Sequence, residues 1–268
     1  MKTTRIRKYC SLPLGQGLIV LYLFLPSCNN NLSTPTQGSQ KIFIDESYQP
    51  LLDAEIEVFE GLYKNSDIEA VYKPEGDIIN DFLNDTCRMI VMGRDLNQKE
   101  KDFFTSKKLS PVSTKIGVDA LAFITHKGNP VAELTFNELK EVFSGKINRW
   151  KLLDSSIKDK SSPDTGISIV FDNEKSCNVR MIKERLLDGA KFPENCFALK
   201  TNPEVINFVS KNKNAIGIIG VNWISDKEDS LTTSFLSQVN VLGVSSAENP
   251  GEFFKPFQAY IYNGEYPF

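Results

Sequence analysis

The sequence predicts an α/β protein built on largely parallel sheets, and two observations carry that expectation. Short apolar segments bounded by turn residues alternate along the chain with segments whose apolar residues recur at helical spacing. The unit 116–150, IGVDALAFITHKGNPVAELTFNELKEVFSGKINRW, shows the pattern most completely. Ile116, Val118 and the run 120–124 read as a strand covered on both faces. Lys127-Gly128-Asn129-Pro130 ends it with turn chemistry. Thr135 is a good helix N-cap with Glu138 three residues on, and Leu139, Val142 and Phe143 make the apolar face. Gly145 suits a left-handed turn after the helix, and Trp150 closes the unit.

The other elements follow the same logic in order. Residues 41–45 form a short apolar strand, and 51–63 an amphipathic helix with Leu52, Ile56, Phe59 and Leu62 on one face. Residues 68–72 alternate like a strand, 78–84 read as a short helix, 89–92 as a buried strand and 98–106 as a helix. Beyond the central unit come strand 167–171, helix 179–187, strand 197–199, helix 203–211 and strands 215–220 and 239–244.

The first residues carry Lys2, Arg5, Arg7 and Lys8, then an apolar segment densest over 18–25, the pattern of a secretory signal. Pro13, Gly15, Gln16 and Gly17 interrupt it too much for a membrane span. Leu25-Pro26-Ser27-Cys28 resembles a bacterial lipoprotein cleavage site, which implies a signal peptide over 1–27 and a lipid on Cys28. A plain secretory peptide with an incidental cysteine is the alternative. Residues 28–40 are polar and read as a flexible tether with a reach of roughly 20 Å.

The body is near charge balance (the whole chain carries a net charge of -3), and no basic stripe points to nucleic acid. His126 is the sole histidine, beside a turn, and no nucleophile elbow, phosphate-binding Gly-Lys loop or His-Glu-x-x-His helix is present. No catalytic residue, metal site or cofactor is expected. Cys87, Cys177 and Cys196 remain in the body, and either Cys177 pairs with Cys196 or all three are buried thiols.

The Val118-Asp119-Ala120-Leu121-Ala122 strand, the Asn129-Pro130 turn and the FSGKINRW block over 143–150 resemble the substrate-binding proteins of phosphate ABC transporters. The resemblance extends more weakly over 41–268. It implies a two-lobed, type II periplasmic-binding-protein-like fold with a double-crossover hinge. Residues 41–122 plus 239–268 would form lobe one and 123–238 lobe two, with the ligand between them. Relatives continue past Tyr266-Pro267, so the resemblance also implies a shortened C-terminal part. The implied role is an extracytoplasmic, membrane-anchored lipoprotein that passes inorganic phosphate or a similar oxyanion to an ABC permease. A non-transport lipoprotein on the same scaffold, sensing a ligand or docking a partner, is the other reading.

Open α/β sheets bind ligands beyond the carboxyl ends of their strands, where helix N-termini present unpaired N–H groups. Four loops qualify. Ser47 and Tyr48 fall where phosphate-binding relatives place a hydroxyl residue followed by an aromatic, although Ser47 also reads as a plain N-cap. Gly76 lies in a loop that is Ser-Gly-rich in those relatives, but here Glu75 and Asp77 flank it. Two carboxylates there repel an anion, or else Asp77 caps the helix and Glu75 faces solvent. Arg94 either binds an oxyanion bidentately or pairs with Glu75 or Asp77. Ser176, Cys177 and Asn178 replace the relatives' hydroxyl-rich triplet, with Arg180 behind them. The expected ligand set is Ser47, Tyr48, Gly76, Arg94, Ser176, Asn178 and Arg180.

Overall fold

The computed structural model describes residues 33–153, 166–225, 228 and 230–268. The expected signal peptide and Cys28 lie outside the described residues. The first lobe contains β1 (Gly38–Asp45), α1 (Gln49–Leu62), β2 (Ser66–Lys73), α2 (Glu75–Leu83), β3 (Ile90–Val91) and α3 (Gln98–Ser106). Its sheet has the order β2-β1-β3 and is parallel throughout. The strand ends therefore place the loops at Glu46, Pro74 and Gly93 on one edge. The strand β1 starts earlier than the sequence suggests, within the expected tether. Gly38, Ser39 and Gln40 pair with Ser66, Asp67 and Ile68. Backbone pairing needs no apolar side chain, so a polar stretch can extend a ladder.

The second lobe begins with β4 (Leu121–His126), β5 (Glu133–Leu134), α4 (Phe136–Phe143), β6 (Ser168–Phe171) and α5 (Cys177–Arg185). It continues through β7 (Cys196–Ala198), α6 (Asn202–Lys211), β8 (Ala215–Gly220), α7 (Asn222–Ser225) and α8 (Ser230–Gln238). The remaining elements are β9 (Val239–Val241), β10 (Gly243–Ser245), β11 (Phe253–Phe254) and α9 (Gln258–Tyr262). The main sheet has the order β7-β6-β8-β4-β9. It is not wholly parallel, because β4 inserts between β8 and β9 antiparallel to both. A small sheet, β11-β10-β5, lies beside it.

Local signals in the central unit are realised atom by atom. Glu138 N–H donates to Thr135 Oγ1 at 3.1 Å, and Thr135 N–H donates to Glu138 Oε2 at 2.8 Å, closing the capping box. Gly145 has φ +78°, the left-handed turn that favours glycine. Trp150 is buried, and its indole N–H donates to Asn214 O at 3.1 Å. The strand, however, starts at Leu121: Ile116 is 69% exposed and Val118 63%. An apolar run shows that a strand is near, but ladder partners decide where it begins, and β8 meets β4 only from Leu121 onward.

The two cores differ greatly in size. In the first lobe Phe43, Ile78 and Cys87 make a small cluster beneath Val71, Phe82 and Ile90. The large cluster surrounds Phe123, Phe143, Ile169, Ile182, Val205 and Ile218. The C-terminal segment packs on the large cluster. Val239 and Val241 extend the main sheet, and Val244, Tyr266 and Phe268 join the large core. Tyr266 Oη donates to Leu121 O at 2.7 Å, and the Phe268 ring meets Phe123 edge-on at 5.0 Å. Aromatic residues go where the deepest apolar volume is, and the first lobe offers little.

Candidate anion site between the lobes

The strand-end loops of the first lobe face the Asp172–Arg180 loop of the second. Each is shaped by a local interaction. Asp45 closes the first loop by accepting Ser47 N–H at 2.9 Å. Ser47 is buried and its hydroxyl makes no well-formed hydrogen bond. Pro74 caps α2 without a side-chain bond, so the first helical residue, Glu75, carries the negative charge at that helix N-terminus. Asn97 and Glu100 form a capping box at α3, which holds Glu100 beside Arg94. Ser176 caps α5 by accepting Val179 N–H at 3.2 Å.

Glu75 is the centre of the arrangement. It is 3% exposed, so it neither faces solvent nor stands aside from the cleft. Its Oε1 accepts from Arg180 Nε at 2.7 Å and lies 3.3 Å from Arg94 Nε. Its Oε2 accepts from Arg180 Nη2 at 3.1 Å and from Gly93 N–H at 3.3 Å. Arg94 is also held bidentately by Glu100, at 2.7 and 2.8 Å. Arg180 further donates to Glu184 at 3.0 Å and to Gly93 O at 3.3 Å. Gly93 permits the close packing: a Cβ there would sit 2.6 Å from Tyr48 Oη and 3.2 Å from Arg180 Nη2.

A second cluster gathers around Asp172. Its carboxylate accepts Ser176 Oγ at 2.6 Å, Asn178 Nδ2 at 2.9 Å and Asn202 Nδ2 at 3.3 Å. Burial raises the Asp172 carboxyl to about 6, partly offset by Ser176 and reinforced by repulsion from Asp45. Burial likewise raises Asp45 to about 6, with Glu75 adding repulsion. Glu46 rises to about 8, again chiefly by burial, with Asp172, Asp45 and Glu204 contributing. Carboxyls from both lobes thus converge on one seam. Beside them lies a cavity of about 270 Å³, lined by Glu46, Gln49 and Tyr72 from one lobe and Thr201, Asn202 and Trp223 from the other.

All seven sequence-predicted ligand residues fall at this seam, but in different circumstances. Arg94 and Arg180 converge on Glu75, with Tyr48 packed against Gly93. Ser176 and Asn178 are committed to Asp172. The Gly76 N–H donates across the seam to Lys175 O at 2.9 Å. Asp77 does not cap α2; it pairs with Lys175 Nζ at 2.7 Å. Asn222 Nδ2 adds a further crossing bond, to Ser47 O at 2.6 Å. Asp45, Glu100, Asp172 and Asn202 were missed as site residues. The Asn97-x-x-Glu100 pattern marks a capping box, but nothing local announces the partner that Glu100 meets.

Cys177 and Cys196 are both free, so no bridge forms between them. Cys177 opens α5 in the seam whereas Cys196 lies on β7, and burial raises the Cys196 thiol to about 12. Among the described residues, no group of three or more His, Cys, Asp or Glu is placed to hold a metal, and no helix is long and apolar enough to cross a membrane.

The PBP superfamily domain model matches residues 29–268. The phosphate-binding protein PstS of Borreliella burgdorferi is 24% identical over 240 residues, covering 85% of this chain and 78% of that protein. The protein of the same name from Staphylococcus epidermidis is 28% identical over 174 residues, and this match spans 65% of the chain and 48% of that protein. A Clostridium perfringens structure described as a phosphate ABC transporter substrate-binding protein with bound phosphate superposes with TM-score 0.67 at 24% identity, covering 86% of this chain and 82% of that one. A Vibrio cholerae ABC-type phosphate transport receptor gives 0.57 at 16% identity, covering 85% and 83%. These likenesses show a common two-lobed fold. The strand-end loops, the paired lobes and the family match over residues 29–268 together place this chain in the PBP superfamily.

Proposed function

We propose that the protein is a solute-binding lipoprotein that captures a small oxyanion, phosphate first among them, and delivers it to an ABC permease. The observation that supports this reading most is the convergence of two guanidinium groups and a backbone N–H on one carboxylate at the lobe seam. Such donors suit a planar or tetrahedral oxyanion. Ser47 adds a buried hydroxyl. On this reading the residues of the seam bind and orient the ligand. Relatives that carry the name of phosphate-binding proteins support the same reading.

Calorimetric titration with phosphate, sulfate and acetate tests it. Saturable phosphate binding is expected, weakened by at least ~10-fold in Arg180→Ala, since a charge-assisted bidentate contact is lost. Flat titrations with all three anions would sink the oxyanion reading. They would favour a non-transport role on this scaffold, which the commitment of Ser176 and Asn178 to Asp172 supports. The anchor is tested separately. Metabolic labelling with a radioactive fatty acid is expected to mark the wild type and not Cys28→Ser; equal labelling would refute lipidation at Cys28.

A further inference from the structure

The oxyanion donors at the seam already hold an anion, and it belongs to the protein. Four donor atoms lie 2.7–3.3 Å from the Glu75 carboxylate: Arg180 Nε and Nη2, Arg94 Nε and Gly93 N. Arg180 comes from the second lobe and the other donors from the first, so the carboxylate is clasped by both. Charge is already satisfied there. The two arginines face three carboxylates, those of Glu75, Glu100 and Glu184. An oxyanion added to this cluster would meet net negative charge in a poorly solvated place. It can use the donors only if Glu75 gives them up. Glu75 lies at the first turn of α2 beneath Arg180. Opening the cleft moves Arg180 away with its lobe and returns the Glu75 carboxylate to water.

We propose that Glu75 is a tethered anion that latches the two lobes through Arg180 and must be displaced before an oxyanion takes the Arg94–Arg180–Gly93 seat. The affinity for ligand is then set by an exchange of one anion for another. The seat selects ligands of higher charge or more acceptor oxygens than a carboxylate, which a phosphate dianion has and a simple carboxylate lacks. This inference rests on the oxyanion reading of the same seam, and its two halves are separable by experiment.

The test uses the full chain with Glu75→Ala and Glu75→Gln, and Asp77→Asn as the control. Asp77→Asn removes the exposed crossing pair with Lys175 and leaves the clasp intact. Small-angle X-ray scattering reads lobe separation, and calorimetry reads phosphate affinity. Glu75→Ala is expected to have a larger radius of gyration than the wild type when no anion is added. An excess of acetate, standing in for the missing carboxylate, is expected to restore compactness. Phosphate is expected to bind Glu75→Ala at least ~10-fold more tightly than the wild type, because breaking a buried pair removes the competitor for its charge. Asp77→Asn is expected to match the wild type in both readouts. Wild-type compactness together with wild-type phosphate affinity in Glu75→Ala would overturn the proposal. An opened variant that acetate closes, but that binds no phosphate, would support the latch and refute the oxyanion function. Glu75→Gln keeps the side-chain shape, and gives the same two readouts should the alanine variant fold poorly.

Discussion

Phe268→Ala is expected to destabilise the protein by about 3 kcal/mol, the cost of removing a buried aromatic ring whose space does not refill. The ring is buried and meets Phe123 edge-on at 5.0 Å and Phe136 face-on at 5.5 Å. Phe123 in turn packs on Phe143 at 5.8 Å, within the largest apolar cluster of the protein. The neighbouring backbone is tied down as well, since Arg185 donates to Pro267 O and Tyr266 Oη to Leu121 O. Tyr266→Phe is the milder companion, expected to cost about 1 kcal/mol for a buried carbonyl left without its donor. Urea unfolding followed by tryptophan fluorescence measures both, because Trp150 and Trp223 are buried in the same lobe. If Phe268→Ala left the urea midpoint unchanged, the packing of the C-terminal segment against Phe123 and Phe136 would not contribute to the core.

The second large effect concerns pH. Asp45 and Asp172 face each other across the seam, both fully buried, and both carboxyls are raised from 3.8 to about 6. Glu75 and Glu46 stand near and add negative charge. An acid whose folded pKa lies above its unfolded value holds its proton more tightly in the folded state. The stability it contributes is therefore fully present below about pH 4 and is lost as pH rises through about 6. A shift of this size corresponds to about 3 kcal/mol for one carboxyl. The two titrate together, so their effects do not simply add. Glu46, raised to about 8, extends the same drift to the alkaline side, weakened because it is only half-buried.

The urea midpoint is accordingly expected to be higher at pH 5 than at pH 7.5. Asp45→Asn keeps the acceptor for Ser47 N–H and removes the charge, so it is expected to raise stability at pH 7.5 and flatten the pH profile. A wild type that becomes less stable on going from pH 7.5 to pH 5 would refute this account. The same carboxyls bear on lobe closure. Their charges meet only when the lobes do, so acid conditions favour the closed form in which Glu75 is clasped.

Much of the local structure is legible in the sequence. Helix α3 and strand β8 occupy the same residues that periodicity assigns them, 98–106 and 215–220. The capping box at Thr135 and Glu138 and the left-handed turn at Gly145 form as their residue types require. These features involve contacts within a few residues, where side-chain chemistry alone selects the conformation. Helices α8 and α9 escaped notice. Their segments are short or rich in Ser and Thr, and packing rather than propensity makes them helical.

The site shows the same division. The sequence identifies which loops bear the polar residues, because strand ends and helix starts in an α/β chain are visible from the pattern alone. It also marks Glu75 as the residue that does not suit an anion site. What it leaves open is whether that carboxylate repels a ligand, faces water or pairs with an arginine. The answer depends on Arg180, 105 residues away, and on Gly93, 18 residues away, reaching the same point. The attachment of Val239 to β4 and of Phe268 to Phe123 is of the same kind, spanning more than a hundred residues. Sequence by itself determined most of the elements, several of their caps and the superfamily, since each rests on local chemistry or on a recognisable block of residues. Only the tertiary structure decided which charges neutralise one another and which lobe receives the C-terminal aromatics, because burial and Coulomb energy depend on distances in space that no spacing along the chain encodes.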